Sequence, residues 1–441
     1  MAERFEFGFG SGRASRRRDD DRPMRLLVIG DFSGTGGTDR RLLADRPTHR
    51  VDVDNLGRVM GRLGPAIDTA FGGIQISEID DFHPDRLFAR LELFQALRQA
   101  RTRPRADDTV GRLLGRPSEV SPAAATSANP LDALIRQIVE PHIVRDAPGQ
   151  GAAYTAAVDD AIAEQMRKVL HDASFQSLEA TWRGVQWLVS GLELDEQLQV
   201  HLFDARREEL LRDVIEARGN LSQTGLHRAL VDRWRNVPGS EGWSALIVLD
   251  DFDASDTDAG LLAALGLIAS QAGGPLLGGA AASLTGDRPV PAAWASLRRS
   301  EAAPWIGLAA PRVLLRLPYG KRSNPVESFT FEEFAGQPDH ENFLWGTGSL
   351  AAALLIGRAF TANGWSMEPG DEREIGDMPA YTFIRDGEPQ MQACAERFLT
   401  ETQLNALLQR GLIPLASRRD RNALVAIRFQ SIADPPGPLA W

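Results

Sequence analysis

At 441 residues the chain is longer than one hydrophobic core normally grows, so two domains are expected. With 43% hydrophobic and 25% charged residues it has the composition of a folded globular protein, neither disordered nor fibrous. The net charge is −11, Lys168 and Lys321 are the only lysines, and the arginines interleave with Asp and Glu, which leaves no basic stripe of the kind a nucleic-acid binder needs.

Residues 1–22 carry basic side chains but no apolar run of about seven, so they do not form a secretory signal and read as a disordered tail. From Arg25 the chain reads RLLVIGDFSG, a buried strand entering a glycine-rich turn. Helical spacing of Leu56, Val59, Met60, Leu63 and Ile67 predicts a helix over 54–67, and an apolar strand follows at 74–79. A second helix is expected over 84–101, with Asp81 as its cap. Residues 23–101 thus form a small α/β domain.

Residues 102–130 switch to Pro, Ala, Ser, Thr and charge, the composition of a flexible linker in which only 110–114 can dock. The remainder, 131–441, opens with helices at 131–144, 154–170 and 175–192 and then alternates strands with helices. Strands are expected at 198–203, 245–249 and 274–281, and helices at 206–218, from Asp258, and at 350–362. That alternation predicts an α/β fold with a mainly parallel mixed sheet covered on both faces. The uncharged run 259–286 is broken by Ser270, Gln271, Gly273, Gly274 and Pro275 into a helix and a strand, so it is not a membrane span.

Three features invite a chemical reading. GDFSGTGG, 30–37, follows a strand as phosphate-cradling loops do, but it lacks their lysine and hydroxyl residue and reads better as a tight turn against a neighbouring backbone. Asp80, Asp81, His83 and Asp85 in IDDFHPDR offer metal-ligand types, yet Pro84 opens a helix there and acids in that place cap free N–H groups. The tryptophans Trp182, Trp187, Trp243, Trp294, Trp305, Trp345 and Trp365 read mostly as core, with Trp182 beside Arg183 of the type that anchors interfaces. The single cysteine, Cys394, rules out an intramolecular disulfide and reads as a small buried hydrophobe in a reducing compartment. No nucleophile elbow and no clustered histidines are present, so no enzyme, metal or cofactor is expected.

Four stretches together resemble the contractile sheath of type VI secretion systems. RLLVIGDFSG with RVDVDNLGRVM and EIDDFHPDRL resembles the small subunit. SFQSLEATWRGVQWLV, RVLLRLPYGKRSNPVESFTFEE with FLWGTGSLAAA, and LLQRGLIPLASRRDRNALVAIRFQS resemble the large one. The resemblance implies a non-catalytic, cytoplasmic protomer of a helical tube that contracts around an inner tube, with energy held in protomer packing and protomers tied by donated strands. It implies structural or interface roles for Gly30, Asp31, Asp54, Asn55, Asp81, His83, Pro84 and Asp85 in the first segment. In the second it implies them for Trp182, Arg183, Arg316, Pro318, Tyr319, Gly320, Glu327, Phe329, Phe331, Glu332, Trp345 and Gly346, with Glu327 and Glu332 able to pair with Arg312, Arg316 or Arg322.

The partners it implies are other sheath protomers, an inner-tube (Hcp-like) protein, a baseplate, and an AAA-type unfoldase that would grip the 131–144 helix. Two departures stand out. Here one chain carries both subunits, and it stops at DPPGPLAW where the family's large subunit continues. The second departure suggests an alternative role as a non-polymerising sheath cap, baseplate adaptor or assembly regulator.

Overall fold

A computed structural model of the chain describes residues 22–35, 41–69, 72–102, 137–139, 150–234, 241–285 and 291–441. The tail 1–21, most of the expected linker and nearly all of the 131–144 helix lie outside them.

The first strand, β1 (Met24–Gly30), is buried at all seven positions. Met24, Leu26 and Val28 point into one hydrophobic cluster and Leu27 and Ile29 into another, as alternation along a doubly covered strand requires. Such a strand must have a neighbour on each side. Here they are β3 (Leu198–Asp204) and β4 (Ala245–Phe252), both parallel to it.

The sheet continues through β5 (Leu276–Ala280), β6 (Ile306–Ala310) and β8 (Ile413–Ser417), again in parallel. It is closed by antiparallel strands: β2 (His49–Val51) beside β3 at one end, and β9 (Leu424–Ala426) with β7 (Glu374–Ile375) at the other. The nine-stranded order is β7-β9-β8-β6-β5-β4-β1-β3-β2, the mainly parallel mixed sheet that the alternation of elements predicted.

The segment 24–102 therefore shares its core with the rest of the chain, Met24, Leu26 and Val28 lying in one cluster with Trp182, Leu350 and Leu415. Arg25, the one charged residue of β1, is 6% exposed. Its guanidinium stacks over Trp234 at 4.6 Å and Trp243 at 4.3 Å and donates to the Glu241 carbonyl at 2.7 Å, so it meets aromatic faces instead of an empty apolar layer.

Around the sheet, α1 (Leu56–Leu63) ends at Gly64, whose φ of 60° and N–H to the Met60 carbonyl make it a left-handed cap. Ile67, expected as the last helical contact, instead lies in a small hairpin, Ala66–Thr69 with Gly72–Gln75. The helix expected over 84–101 is two helices, α2 (Pro84–Arg90) and α3 (Glu92–Thr102), with Leu91 buried and extended between them.

Helices α4 (Gln150–Leu170), α5 (Ala173–Ser190) and α8 (Gly348–Asn363) cover the face that includes Leu26. Helices α6 (Arg207–Glu216), α7 (Asp256–Ala272) and α9 (Glu401–Gln409) cover the other. Close packing of α5 on α8 depends on Gly184, where a Cβ would come within 2.5 Å of Leu350. Helix α7 and strand β5 occupy the uncharged run, and no described helix is long and apolar enough to cross a membrane. Of the 131–144 stretch only 137–139 is described, with Val139 buried in the shared core.

Candidate functional site

Several of the residues singled out by the sequence, among them Gly30, His83, Asp85, Trp182, Tyr319 and Phe329, meet along the seam where the segment 24–102 joins the rest of the chain. The first contact follows β1. Gly30 passes so close to β4 that a Cβ would meet Leu249 at 3.2 Å, and its carbonyl accepts the Ala205 N–H. Asp204, at the end of β3, accepts the N–H groups of Phe32 at 2.8 Å and Ser33 at 3.1 Å. Trp182 on α5 donates its indole N–H to the Phe32 carbonyl at 3.0 Å and sets its ring edge-on to Phe32.

Gly34 has φ +71°, and a Cβ there would stand 2.4 Å from the Ala66 carbonyl oxygen. The loop is thus a tight turn against neighbouring backbone, as its composition suggested; Gly36 and Gly37 lie outside the described residues. Asp31 accepts the Gly34 N–H at 2.8 Å, and its carboxyl pKa is raised by burial against the opposing pull of Arg206. Trp182 is fully buried, so it anchors within the chain and presents nothing to a partner.

The second contact is IDDFHPDR. Asp54 is exposed ahead of α1, while Asn55 and Asp52 bond one another reciprocally at 2.9 to 3.2 Å and fix the entry to that helix. Asp81 does not cap α2. It accepts the N–H groups of Ser77 and Glu78, closing the turn before, and pairs with Arg90 at 2.6 Å. Burial alone would raise its pKa, but those bonds hold it below the ordinary range.

The cap of α2 is His83, whose Nδ1 accepts the Asp85 N–H at 3.2 Å, with buried Pro84 at the first helical position. Burial lowers the His83 pKa and keeps the ring neutral for that task. Asp85 reaches across the seam and accepts the N–H groups of Glu327 at 3.1 Å and Ser328 at 2.8 Å. Asp81, His83 and Asp85 serve separate partners while Asp80 is exposed, and no metal-holding group of three such side chains occurs among the described residues.

The third contact is the rim of a buried ionic cluster that lies within the 150–441 segment and meets the 24–102 segment where His83 touches Tyr319. Arg316 is 8% exposed and forks between two carboxylates, binding Glu179 at 2.8 and 3.2 Å and Glu333 at 2.8 and 3.2 Å. Arg183 donates to Glu179 at 2.6 Å and to the Tyr319 hydroxyl at 2.9 Å, and that hydroxyl donates onward to Glu179 at 3.4 Å. Two guanidinium groups thus face two carboxylates, and every partner is a strong charge-assisted one.

Burial would raise the Glu333 pKa, but Arg316 beside it holds it at about 2. Tyr319 is pushed far above its ordinary value by burial and by Glu179. The Arg316 guanidinium lies 4.1 Å over the Tyr319 ring, and the His83 ring meets the same ring edge-on at 5.0 Å, which ties the second contact to the third.

The loop after Arg316 serves this cluster. The Tyr319 N–H donates to Glu333 at 2.7 Å, the Pro318 carbonyl accepts the Ser323 hydroxyl, and a Cβ at Gly320 would lie 2.1 Å from a Glu332 carboxylate oxygen. Phe329 packs its ring at a tilt against Phe88 of α2 at 4.6 Å and against Phe331 at 5.4 Å. Trp345 donates its indole N–H to the His340 carbonyl, and Gly346 leaves room for Leu315, 2.8 Å from where a Cβ would sit.

The pairings expected from spacing are replaced. Arg316 binds Glu333, not Glu332 or Glu327; Arg312 binds Glu396 at 2.7 Å; Glu332 is exposed and accepts the Lys321 N–H. Sequence reasoning missed both Glu179 and Glu333, though each left a signal. Glu179 precedes Arg183 by one helical turn, and Glu333 shares the alternation of Phe329 and Phe331 onto the inward face.

Residues 152–290 and 286–433 match the family described as the EvpB tail sheath N-terminal domain, VipB. Residues 2–106 match that described as type VI secretion system VipA or Hcp2. The type VI secretion system sheath protein TssC1 of Pseudomonas aeruginosa is 30% identical over 304 residues, covering 64% of this chain and 61% of that protein. The chain therefore spans about three fifths of that relative's length. Among solved structures, a chain of the cryo-EM structure of the anti-feeding prophage baseplate, 6-fold symmetrised, aligns with a TM-score of 0.32 at 16% identity, over 57% of this chain and 49% of that one.

Proposed function

The chain belongs to the tail-sheath family of type VI secretion systems, and on that premise we propose that it is a structural protomer of a contractile sheath, carrying a small and a large subunit on one polypeptide. The protomers assemble around an inner tube of Hcp-like protein, and the work of contraction is stored in their packing, with no catalysis in the chain.

The observation that carries this reading is the place of β1. The strand from the VipA-matching segment lies between two strands of the VipB-matching segment, bonded to β3 along its whole length. Neither segment can present its finished sheet without the other. Joining them in one chain sets their ratio at one to one and raises the local concentration of each for the other to the order of millimolar.

Negative-stain electron microscopy of the purified full-length chain, alone and with the inner-tube protein, tests the proposal. Tubes or rings are expected. Monodisperse single particles in both samples would overturn it in favour of a cap, baseplate adaptor or assembly regulator.

A further inference from the structure

Asn363 is the one asparagine of the chain followed by glycine. That pair is chemically labile, because the backbone nitrogen after an asparagine can attack its side-chain carbonyl carbon, and glycine has no Cβ to crowd the approach. The attack forms a five-membered succinimide and releases the side-chain nitrogen as ammonia. Water then opens the ring at either carbonyl, leaving aspartate or isoaspartate, and no electrons are transferred.

The fold puts the pair at the end of α8. Asn363 is the last residue of the helix and is exposed, and Gly364 follows at φ 55° and ψ −146°. Both reacting groups are held. The Gly364 N–H donates to the Phe360 carbonyl as the cap of the helix, and the Asn363 amide donates to Asp371 at 3.3 Å. Asp371 also accepts the Glu368 N–H at 2.9 Å and donates its own N–H to the Glu368 carbonyl at 3.0 Å, so the loop after the helix closes on the same carboxylate. The nucleophile is therefore released only when the last turn opens, and a terminal turn is the part of a helix that opens at least cost.

The same contacts decide what the product does. A carboxylate at position 363 has no N–H to give Asp371 and meets it as a like charge, with Glu368 and Glu372 beside it in sequence. It also stands at the negative end of the helix dipole, where an anion is unfavourable. The next residue is Trp365, whose ring meets Phe360 edge-on at 5.1 Å and whose indole N–H donates to the Arg22 carbonyl just ahead of β1.

We propose that Asn363 is a site of spontaneous deamidation, reached when the last turn of α8 opens, and that the product keeps that turn open and loosens Trp365 from the entry to β1. The change runs one way, since the ammonia is lost to solvent.

The test holds the full chain, at concentrations too low for assembly, in mildly alkaline buffer with and without urea, and follows the tryptic peptide 359–373 by mass spectrometry. Conversion at Asn363 is expected in both samples, about tenfold slower in the folded one. In the unfolded one it should run ahead of Asn405 and Asn422, which precede alanine. Asp371→Ala, which releases the side-chain amide, should speed conversion in the folded chain and leave the unfolded rate as it was. Asn363→Asp, the product itself, should exchange its amides at 364–367 faster than the wild type. Equal rates with and without urea, no conversion in the folded sample, or a folded rate unmoved by Asp371→Ala would overturn the site. Unchanged exchange in Asn363→Asp would overturn the loosening of Trp365.

Discussion

Replacing Arg316 by methionine removes one charge of similar bulk and leaves Glu179 and Glu333 buried against a single remaining guanidinium, that of Arg183. Arg316 now satisfies both carboxylates with bonds of 2.8 to 3.2 Å, and breaking a buried ion pair by deleting one partner costs about 3 to 5 kcal/mol. The loss should depend on pH. In the wild type Glu333 is held at about 2 against 4.5 when unfolded. At about 1.4 kcal/mol per unit its ionisation contributes about 3 kcal/mol, fully present above pH 4.5 and lost as pH falls from there towards 2.

In Arg316→Met burial dominates and the folded carboxyl titrates above its unfolded value, so the variant binds a proton more readily when folded. The gap between the two proteins should therefore narrow as pH falls from about 7 to 4.5. Urea unfolding followed by tryptophan fluorescence, at concentrations too low for assembly, measures it. A gap below about 1 kcal/mol at pH 7, or one that does not close with acid, would refute the account of the cluster.

Three further outcomes follow from the seam. Gly34→Ala, which forces a side chain onto the Ala66 carbonyl at a left-handed position, should cost about 1 to 3 kcal/mol, read as a lowered urea midpoint. Asp85→Ala removes both acceptors of the Glu327 and Ser328 N–H groups; amide exchange should accelerate at those two residues, with about 1 kcal/mol lost for a bond at a half-buried site. A protease site inserted between residues 103 and 136 and then cut should leave the two segments co-eluting on a sizing column. β1 is inside the sheet, and Arg101 on α3 pairs with Asp159 on α4 at 2.7 Å, so the connection joins elements that already touch.

What was legible in the sequence was what the local pattern states by itself. LLVIG and ALIVL are apolar on both faces, and an all-apolar run of strand length reads directly as an interior parallel strand. That a strand needs two neighbours says nothing about which; the partners of Leu27 are His201 and Leu246, at separations no local pattern encodes. The break at Leu91 was equally hidden, because no glycine or proline marks it. The chain turns there to bury Leu91, and the carbonyls of Ala89 and Arg90 freed by the break are met by the side chain of Gln95. The ionic cluster lay between these cases: Glu179 and Glu333 obey helical and strand spacing respectively, but spacing alone did not bring two segments separated by more than a hundred residues to one guanidinium.

The cluster lies within the 150–441 segment and meets the seam through His83 on the Tyr319 ring, which bears on why buried charge is retained there. Apolar residues of the same volume would hold α5 against the 316–333 stretch at least as tightly, since desolvating two ion pairs offsets most of their attraction. Apolar surfaces, however, tolerate sliding. A guanidinium forked between a helix and an extended segment accepts one geometry, and the contacts around it repeat that demand: Tyr319 is held by Glu333 through its backbone, touched by His83 through its ring, and bonded to Arg183 through its hydroxyl. Register is what the cluster supplies, and on the sheath reading proposed above a small error in register would repeat at every protomer.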